Sequence, residues 1–317
     1  MTRGFAVAAS LALLIAASLL TGAGRMPVAG LLDDPDAWRI FVASRLPRTA
    51  AALLTGASMA VAGQIMQMLA RNRFIEPTTA GTGQSAALGI VLATLFAPGA
   101  GVVATMAAAS LAALVGTAGF ILMIRRLPVT QPLLVPVVGL VYGAVIGAAA
   151  TWLAYQTDLL QYLGVWMNGE FSGVVRGRYE MLWATGACAL LAYLVADQFT
   201  IVGLGRDAAM NLGLNYRQVV SFGLAAVALI TALTVSTVGM IPFIGLVAPN
   251  VIRRLMGDNL RATLPYVALL GAMLVLAGDL LGRLLIHPYE VPAGTVVGVV
   301  GALVFLWLLL ARPARAA

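Results

Sequence analysis

The feature that most constrains this chain is a series of apolar runs, most of them near the length that crosses a lipid bilayer. A transmembrane helix needs about 20 mostly apolar residues. Punctuation by Pro, Gly and Arg delimits ten such runs: about 5–20, 47–69, 80–96, 102–124, 132–155, 181–196, 219–238, a short or broken one within 239–257, 264–286 and 291–311. Water cannot satisfy backbone N–H and C=O groups in hydrocarbon, and runs of this length do so as helices. The expected fold is therefore all-α: one polytopic transmembrane domain over residues 1–317, with about ten helices. The first run, Phe5–Leu20 with Arg3 ahead of it, also has the outline of a signal peptide. Further apolar runs follow, with no small-x-small cleavage site before a soluble domain, so a retained first span is expected. Residues 25–48 read as a polar loop with a short helix near Trp38. Small residues crowd the spans, as at Gly56-Ala57-Ser58 and from Gly294 to Gly301; their first reading is close helix packing.

The charged residues exclude more than they propose. All 19 basic residues are arginine. Without a lysine there is no P-loop Gly-Lys-Ser/Thr site and no Schiff base, so any ATP-driven work must be done by a partner and no cofactor is expected in this chain. One cysteine (Cys188) and one histidine (His287) allow neither an internal disulfide nor a Cys/His metal cluster. Cys188 lies within an apolar run and reads as a packing thiol. The net charge of +7 comes from arginines scattered between apolar runs, which fits loop topology better than nucleic-acid binding. With the N-terminus inside, Arg3, Arg71, Arg73, Arg125, Arg126, Arg206, Arg217, Arg253, Arg254, Arg261, Arg312 and Arg315 are cytoplasmic. Arg25, Arg39, Arg45, Arg48, Arg176, Arg178 and Arg283 are then outside. This excess of cytoplasmic arginine supports ten spans with both termini in the cytoplasm.

Three sets of polar residues stand out. Arg45 and Arg48, three apart around Pro47, share a face at a helix entrance. Guanidinium groups there can grip a partner's carboxylates in bidentate fashion, or they can snorkel, or pair with Asp33, Asp36 or Asp279. The stretch Gly203–Gln218 is the most polar internal segment, with an apolar stripe (Leu204, Ala208, Leu212, Leu214) and a polar side (Arg206, Asp207, Asn211). As an isolated feature it reads as an interfacial helix. Glu170, Asp279 and Glu290 fall near outer span ends, where local pairing is expected rather than a proton relay. That placement weighs against a proton-coupled secondary transporter, which needs carboxylates near the midplane. A membrane hydrolase is disfavoured for want of a nucleophile–base set.

Longer motifs then add a resemblance. The segments RLPRTAAALLTGASMAVAGQIMQ (45–67), ARNRFIEPTTAG (70–81), GLGRDAAMNLGLN (203–215), IGLVAPNVIRR (244–254) and GDLLGRLLIHPYEVPAGTVVGVVGA (278–302) occur in that order. Together they resemble the FecCD-type permeases, the membrane subunits of ferric-siderophore, haem and cobalamin ABC importers. The resemblance implies a type II importer permease fold, multi-pass in the inner (cytoplasmic) membrane. It implies a second permease subunit, identical or a sister chain, two ATPase subunits that bind the ATP, and an extracytoplasmic substrate-binding protein. FIEPTTAG is similar to a subgroup associated with catechol-type siderophores, which makes a ferric siderophore the expected cargo ahead of haem or cobalamin. By residue, it implies binding-protein docking at Arg45, Arg48 and Arg283. ATPase coupling falls to Arg206, Asp207, Ala208, Asn211, Leu212, Gly213 and Leu214 within the loop 203–218, and the cytoplasmic gate to Asn72, Phe74, Thr130 and Gln131. The chain departs from the commonest family pattern at Arg73 (usually Pro), Pro242 (usually Gly) and Asn250 (usually His).

Overall fold

The computed structural model describes residues 2–22, 35–124, 127, 134–177 and 179–310, with side chains from Val7 onward. These residues form α1 (Thr2–Leu20), α2 (Pro35–Ile40), α3 (Leu46–Leu69), α4 (Thr82–Phe96), α5 (Val102–Ile124), α6 (Leu134–Gln156) and α7 (Leu160–Met167). They continue as α8 (Leu182–Leu194), α9 (Ala196–Gly203), α10 (Arg206–Asn211), α11 (Tyr216–Val238), α12 (Ile244–Met256), α13 (Leu260–Leu285) and α14 (Ala293–Leu310). No strand occurs among them. Each predicted run falls on a helix. Six helical stretches are long and apolar enough to cross a membrane, and the α8–α9 pair, bent by 66°, gives a seventh. Val7–Leu20 and α4 are shorter apolar helices, and the broken eighth run is the 13-residue α12.

One boundary is corrected. The short helix expected near Trp38 is α2, but it does not end in loop: it runs through a π-helical turn, Phe41–Arg45, directly into α3. Pro47 explains the turn. It has no N–H to give to the carbonyl of Ala43, four residues back. The wider turn lets the Leu46 amide reach the Phe41 carbonyl, and the freed Ala43 carbonyl accepts the Arg176 amide at 3.0 Å. What reads as a helix start is a repaired break inside a helix.

α3 is the axis of the bundle. It is largely buried and packs against α13, α12, α11 and α8. Lipid tails give apolar helices no hydrophobic reason to associate, so close backbone approach through small residues does more of the work. A Cβ on Gly63 would lie 2.0 Å from the Gly245 carbonyl oxygen, and one on Gly56 would lie 2.3 Å from that of Gly271. Those contacts bring α12 and α13 against α3. By contrast, α6 and α14 turn large residues outward, among them Val141, Val145, Trp152, Leu303, Leu306 and Trp307.

Candidate functional site

At one end of α3, Arg48 and Arg283 meet at Asp279, and Arg45 reaches the last turn of α1 beside them. Arg48 reaches Asp279 Oδ1 through Nε (3.2 Å) and Nη2 (2.8 Å). Its Nη1 and Nη2 also donate to Glu290 Oε1 (3.1 Å) and Oε2 (2.8 Å). Arg283, one turn after Asp279 on α13, meets Asp279 Oδ2 at 2.7 Å. The same guanidinium donates to the Ser18 hydroxyl (2.8 Å) and to the carbonyls of Ser18 (3.1 Å) and Thr21 (2.7 Å). Arg45 Nη1 donates to the Leu19 and Leu20 carbonyls, each at 3.0 Å. The last carbonyls of a helix lack intrahelical partners and carry the negative end of its dipole. Two arginines from elsewhere thus cap α1, and Ser18 also bonds Thr49 on α3 at 2.9 Å.

The three arginines differ in exposure and in partners. Arg45 and Arg283 are buried, 9% and 5% exposed, with their guanidinium groups directed at partners within the chain. Of the three, only Arg48 is half-buried rather than buried. Asp279, 2% exposed, is the hub of the network, and Glu290 is half-buried at its rim. Glu170 lies apart: it is exposed and takes the Ser172 hydroxyl.

The other end of α3 carries the expected gate residues and more. Past Leu69 the chain turns through Arg71, whose φ of +50° is left-handed. Asn72 is buried; its amide donates to the Gln67 carbonyl (3.0 Å) and its side chain accepts the Phe74 amide (2.8 Å). The Phe74 ring stands edge-on to Phe305 of α14 at 6.2 Å, and Phe305 lies 6.4 Å from Phe243. Pro249 inside α12 leaves the Gly245 carbonyl without its usual donor, and Gln67 supplies one from α3 at 3.3 Å. Arg253 holds the other end of the Gln67 amide at 3.2 Å. Two of the departures from the family pattern touch here, since Asn250 donates to the Arg73 carbonyl at 2.7 Å. Thr130 and Gln131 lie outside the described residues.

The segment expected to couple follows the bend at Val195 and is anchored to the same end of α3. Gly203 packs on Met68, and the Arg71 guanidinium lies 3.6 Å from where a Cβ on Gly205 would stand. α10 closes on Gly213, φ +79°, with the Gly213 amide bonded to Met210 O (2.9 Å) and the Leu214 amide to Ala209 O (3.0 Å). This is a helix C-terminus of the Schellman kind, where glycine takes the left-handed position. Asn215 then caps α11 through the Gln218 amide. The apolar stripe is shifted from the expected one. Ala209 is the buried anchor, while Leu204, Met210 and Leu212 project outward. Ala208 and Leu214 are half-buried, and Arg206, Asp207, Asn211 and Gly213 are exposed.

Glu76 is the residue that sequence reasoning missed. It lies in the connection between α3 and α4, 0% exposed. Its Oε1 accepts the Phe243 amide at 2.7 Å and the Thr78 hydroxyl. The carboxylate thereby closes the N-terminus of α12, where the dipole and unpaired amides favour negative charge. Phe243 itself is left-handed, φ +67°. The available signal was a charged residue next to Pro77 between two apolar runs, read only as part of a motif.

Comparison with known proteins agrees with this architecture. The profile of the FecCD transport family matches residues 10–311. The petrobactin import system permease protein YclN of Bacillus subtilis (strain 168) is 44% identical over 285 residues, covering 90% of this chain and 90% of that protein. The ferric-anguibactin transport system permease protein FatD of Vibrio anguillarum (strain ATCC 68554 / 775) is 41% identical over 298 residues, covering 94% and 95%. A solved metal-chelate type ABC transporter in an inward-facing conformation superposes with a TM-score of 0.81 at 24% identity, covering 96% of this chain and 97% of that one.

Proposed function

The chain belongs to the FecCD transport family, and on that premise we propose that it imports a ferric siderophore as the permease subunit of a binding-protein-dependent ABC transporter in the inner membrane. It is a multi-pass membrane component, not an enzyme, and it breaks no covalent bond. The petrobactin and anguibactin permeases among its relatives support a siderophore cargo. ATP is bound and hydrolysed by partner subunits.

One observation carries the mechanism. α3, 24 residues and about 36 Å long at 1.5 Å per residue, joins the arginine network at one end to the coupling segment at the other. A packed helix transmits displacement rather than absorbing it. In this reading, acidic residues of the binding protein compete with Glu290 for Arg48, while Arg45 and Arg283 keep α1 and α13 in place around the contact. ATPase closure acts on α10 through the exposed Leu204, Met210 and Leu212. The motion passes through Arg71 and Met68 into α3 and the α12 contacts. Asn72 and Phe74, with Thr130 and Gln131, then close or open the inner end of the path. The outward apolar faces of α6 and α14 suit a second permease subunit, identical or a sister chain, with the cargo path between them. ATP and cargo shift one conformational equilibrium by binding its two states unequally.

The test is co-reconstitution of the permease with its ATPase and binding protein in proteoliposomes. Ferric-siderophore uptake should require ATP and the binding protein, and should saturate with a ferric catecholate before cobalamin or haem competes. Gly213→Pro should abolish uptake while leaving membrane insertion intact, because proline cannot take the positive φ. Uptake driven by a proton gradient with no ATPase present would overturn the proposal in favour of secondary transport.

A further inference from the structure

Beside the coupling segment, the inner ends of α5 and α11 part to leave a groove of about 880 Å³. Ile121 and Leu122 from α5, Leu224 from α11 and Met210 from α10 give it an apolar side, and Asn215 and Ser221 are polar. Its rim carries Arg206 at the start of α10, and Tyr216 and Arg217 at the start of α11. Among the described residues no acidic side chain lines it, and both arginines are exposed. Neither guanidinium is bonded to a carboxylate among the described residues. This differs from the opposite end of the bundle, where Arg48 and Arg283 share Asp279.

We propose that this groove binds an anionic phospholipid of the cytoplasmic leaflet, with the phosphodiester between Arg206 and Arg217 and an acyl chain along Ile121, Leu122 and Leu224. The level of the groove carries the assignment. It lies where two hydrophobic helices end, so one molecule must be apolar below and anionic above. A phospholipid meets both demands; an acidic protein surface meets only the second. Guanidinium grips phosphate oxygens in bidentate fashion, and the cytoplasmic leaflet concentrates negative charge beside such arginines. A phosphatidylcholine headgroup would bring its own cation against two others. The tyrosine hydroxyl adds a donor at the depth where amphipathic rings settle. Because α10 forms part of the rim, a bound lipid would brace the coupling segment against α5.

The experiment uses the full-length chain in mild detergent, titrated separately with phosphatidylglycerol, phosphatidylcholine and inorganic phosphate. Native mass spectrometry reads retained lipid and thermal unfolding reads stabilisation. Phosphatidylglycerol should be retained and should raise the unfolding temperature; phosphatidylcholine should do neither to a similar degree. Arg217→Gln should weaken retention about fivefold, the factor that one arginine near an anionic surface carries, and Arg217→Lys should restore most of it. Should Arg217→Gln fail to fold, Leu122→Trp fills the apolar wall with both charges intact, and it should reduce lipid retention. Equal retention of phosphatidylcholine, equal stabilisation by inorganic phosphate, or unchanged phosphatidylglycerol retention in the variant that folds would each overturn the assignment. So would an Arg217→Gln protein that loses ATPase association while keeping its lipid, since the rim would then belong to the partner protein.

Discussion

Arg48 on α3 and Asp279 on α13 lie 231 positions apart in the chain and meet at 2.8 Å. Asp279 also holds Arg283 and Glu290 shares Arg48, so two carboxylates balance two buried or half-buried guanidinium groups. Removing one member of such a pair leaves charge uncompensated in a low-dielectric setting, whereas replacing both can be close to neutral. Asp279→Ala should therefore destabilise the protein by about 3 kcal/mol, and Arg48→Met combined with Asp279→Leu by clearly less. The single buried cysteine, Cys188, supplies the readout, because a thiol-reactive dye labels it only as the bundle opens. Equal losses in the single and double variants would mean that packing, not charge balance, governs this end.

The contact between Gly63 and Gly245 predicts a sharp size limit. A methyl group on Gly63 would stand 2.2 Å from the Gly245 Cα as well as 2.0 Å from its oxygen, so α3 and α12 must separate. Gly63→Ala should cost about 1–3 kcal/mol by overpacking and should lower uptake. Gly164 in α7 has nothing within 4 Å, and Gly164→Ala should be neutral or stabilising by up to about 1 kcal/mol from helix propensity. Thermal unfolding of the two variants side by side checks the contrast.

Glu76 serves α12 as a hydrogen-bond acceptor. Glu76→Gln keeps an oxygen for the Phe243 amide, whereas Glu76→Ala leaves that amide and the Thr78 hydroxyl without their partner. The alanine variant should lose about 1–3 kcal/mol and most uptake; the glutamine variant should retain the greater part of both. If the two behave alike, negative charge at the helix N-terminus matters more than the acceptor.

Gly213 and Gly205 bracket α10 with φ values of +79° and +119°. Nothing lies within 4 Å of a Cβ on Gly213, so backbone strain alone should set the cost there. Gly213→Asn should be tolerated, because asparagine visits the left-handed region, and Gly213→Ala should cost about 1 kcal/mol. Measuring ATP hydrolysis against uptake in these variants separates loss of coupling from loss of fold, since a coupling defect lowers uptake per ATP without lowering the unfolding temperature.

The sequence alone determined the membrane class, the helix succession and the lack of a P-loop lysine. Those properties rest on local quantities: run length, hydropathy, and the presence or absence of a residue type. It also located the segments that matter, since Arg45, Arg48, Arg283, Asn72, Phe74 and the 203–218 stretch all fall at the two ends of α3 or beside them. Only the tertiary structure decided what those residues do to one another. Arg45 turns inward because α1 ends beside it with unpaired carbonyls. Gln67 matters because Pro249, on another helix, leaves the Gly245 carbonyl open. Glu76 became visible only once α12 was seen to begin against it. A buried polar group is defined by the partner that satisfies it, and in a helical bundle that partner comes from wherever the packing brings a second helix. Separation along the chain carries no trace of it.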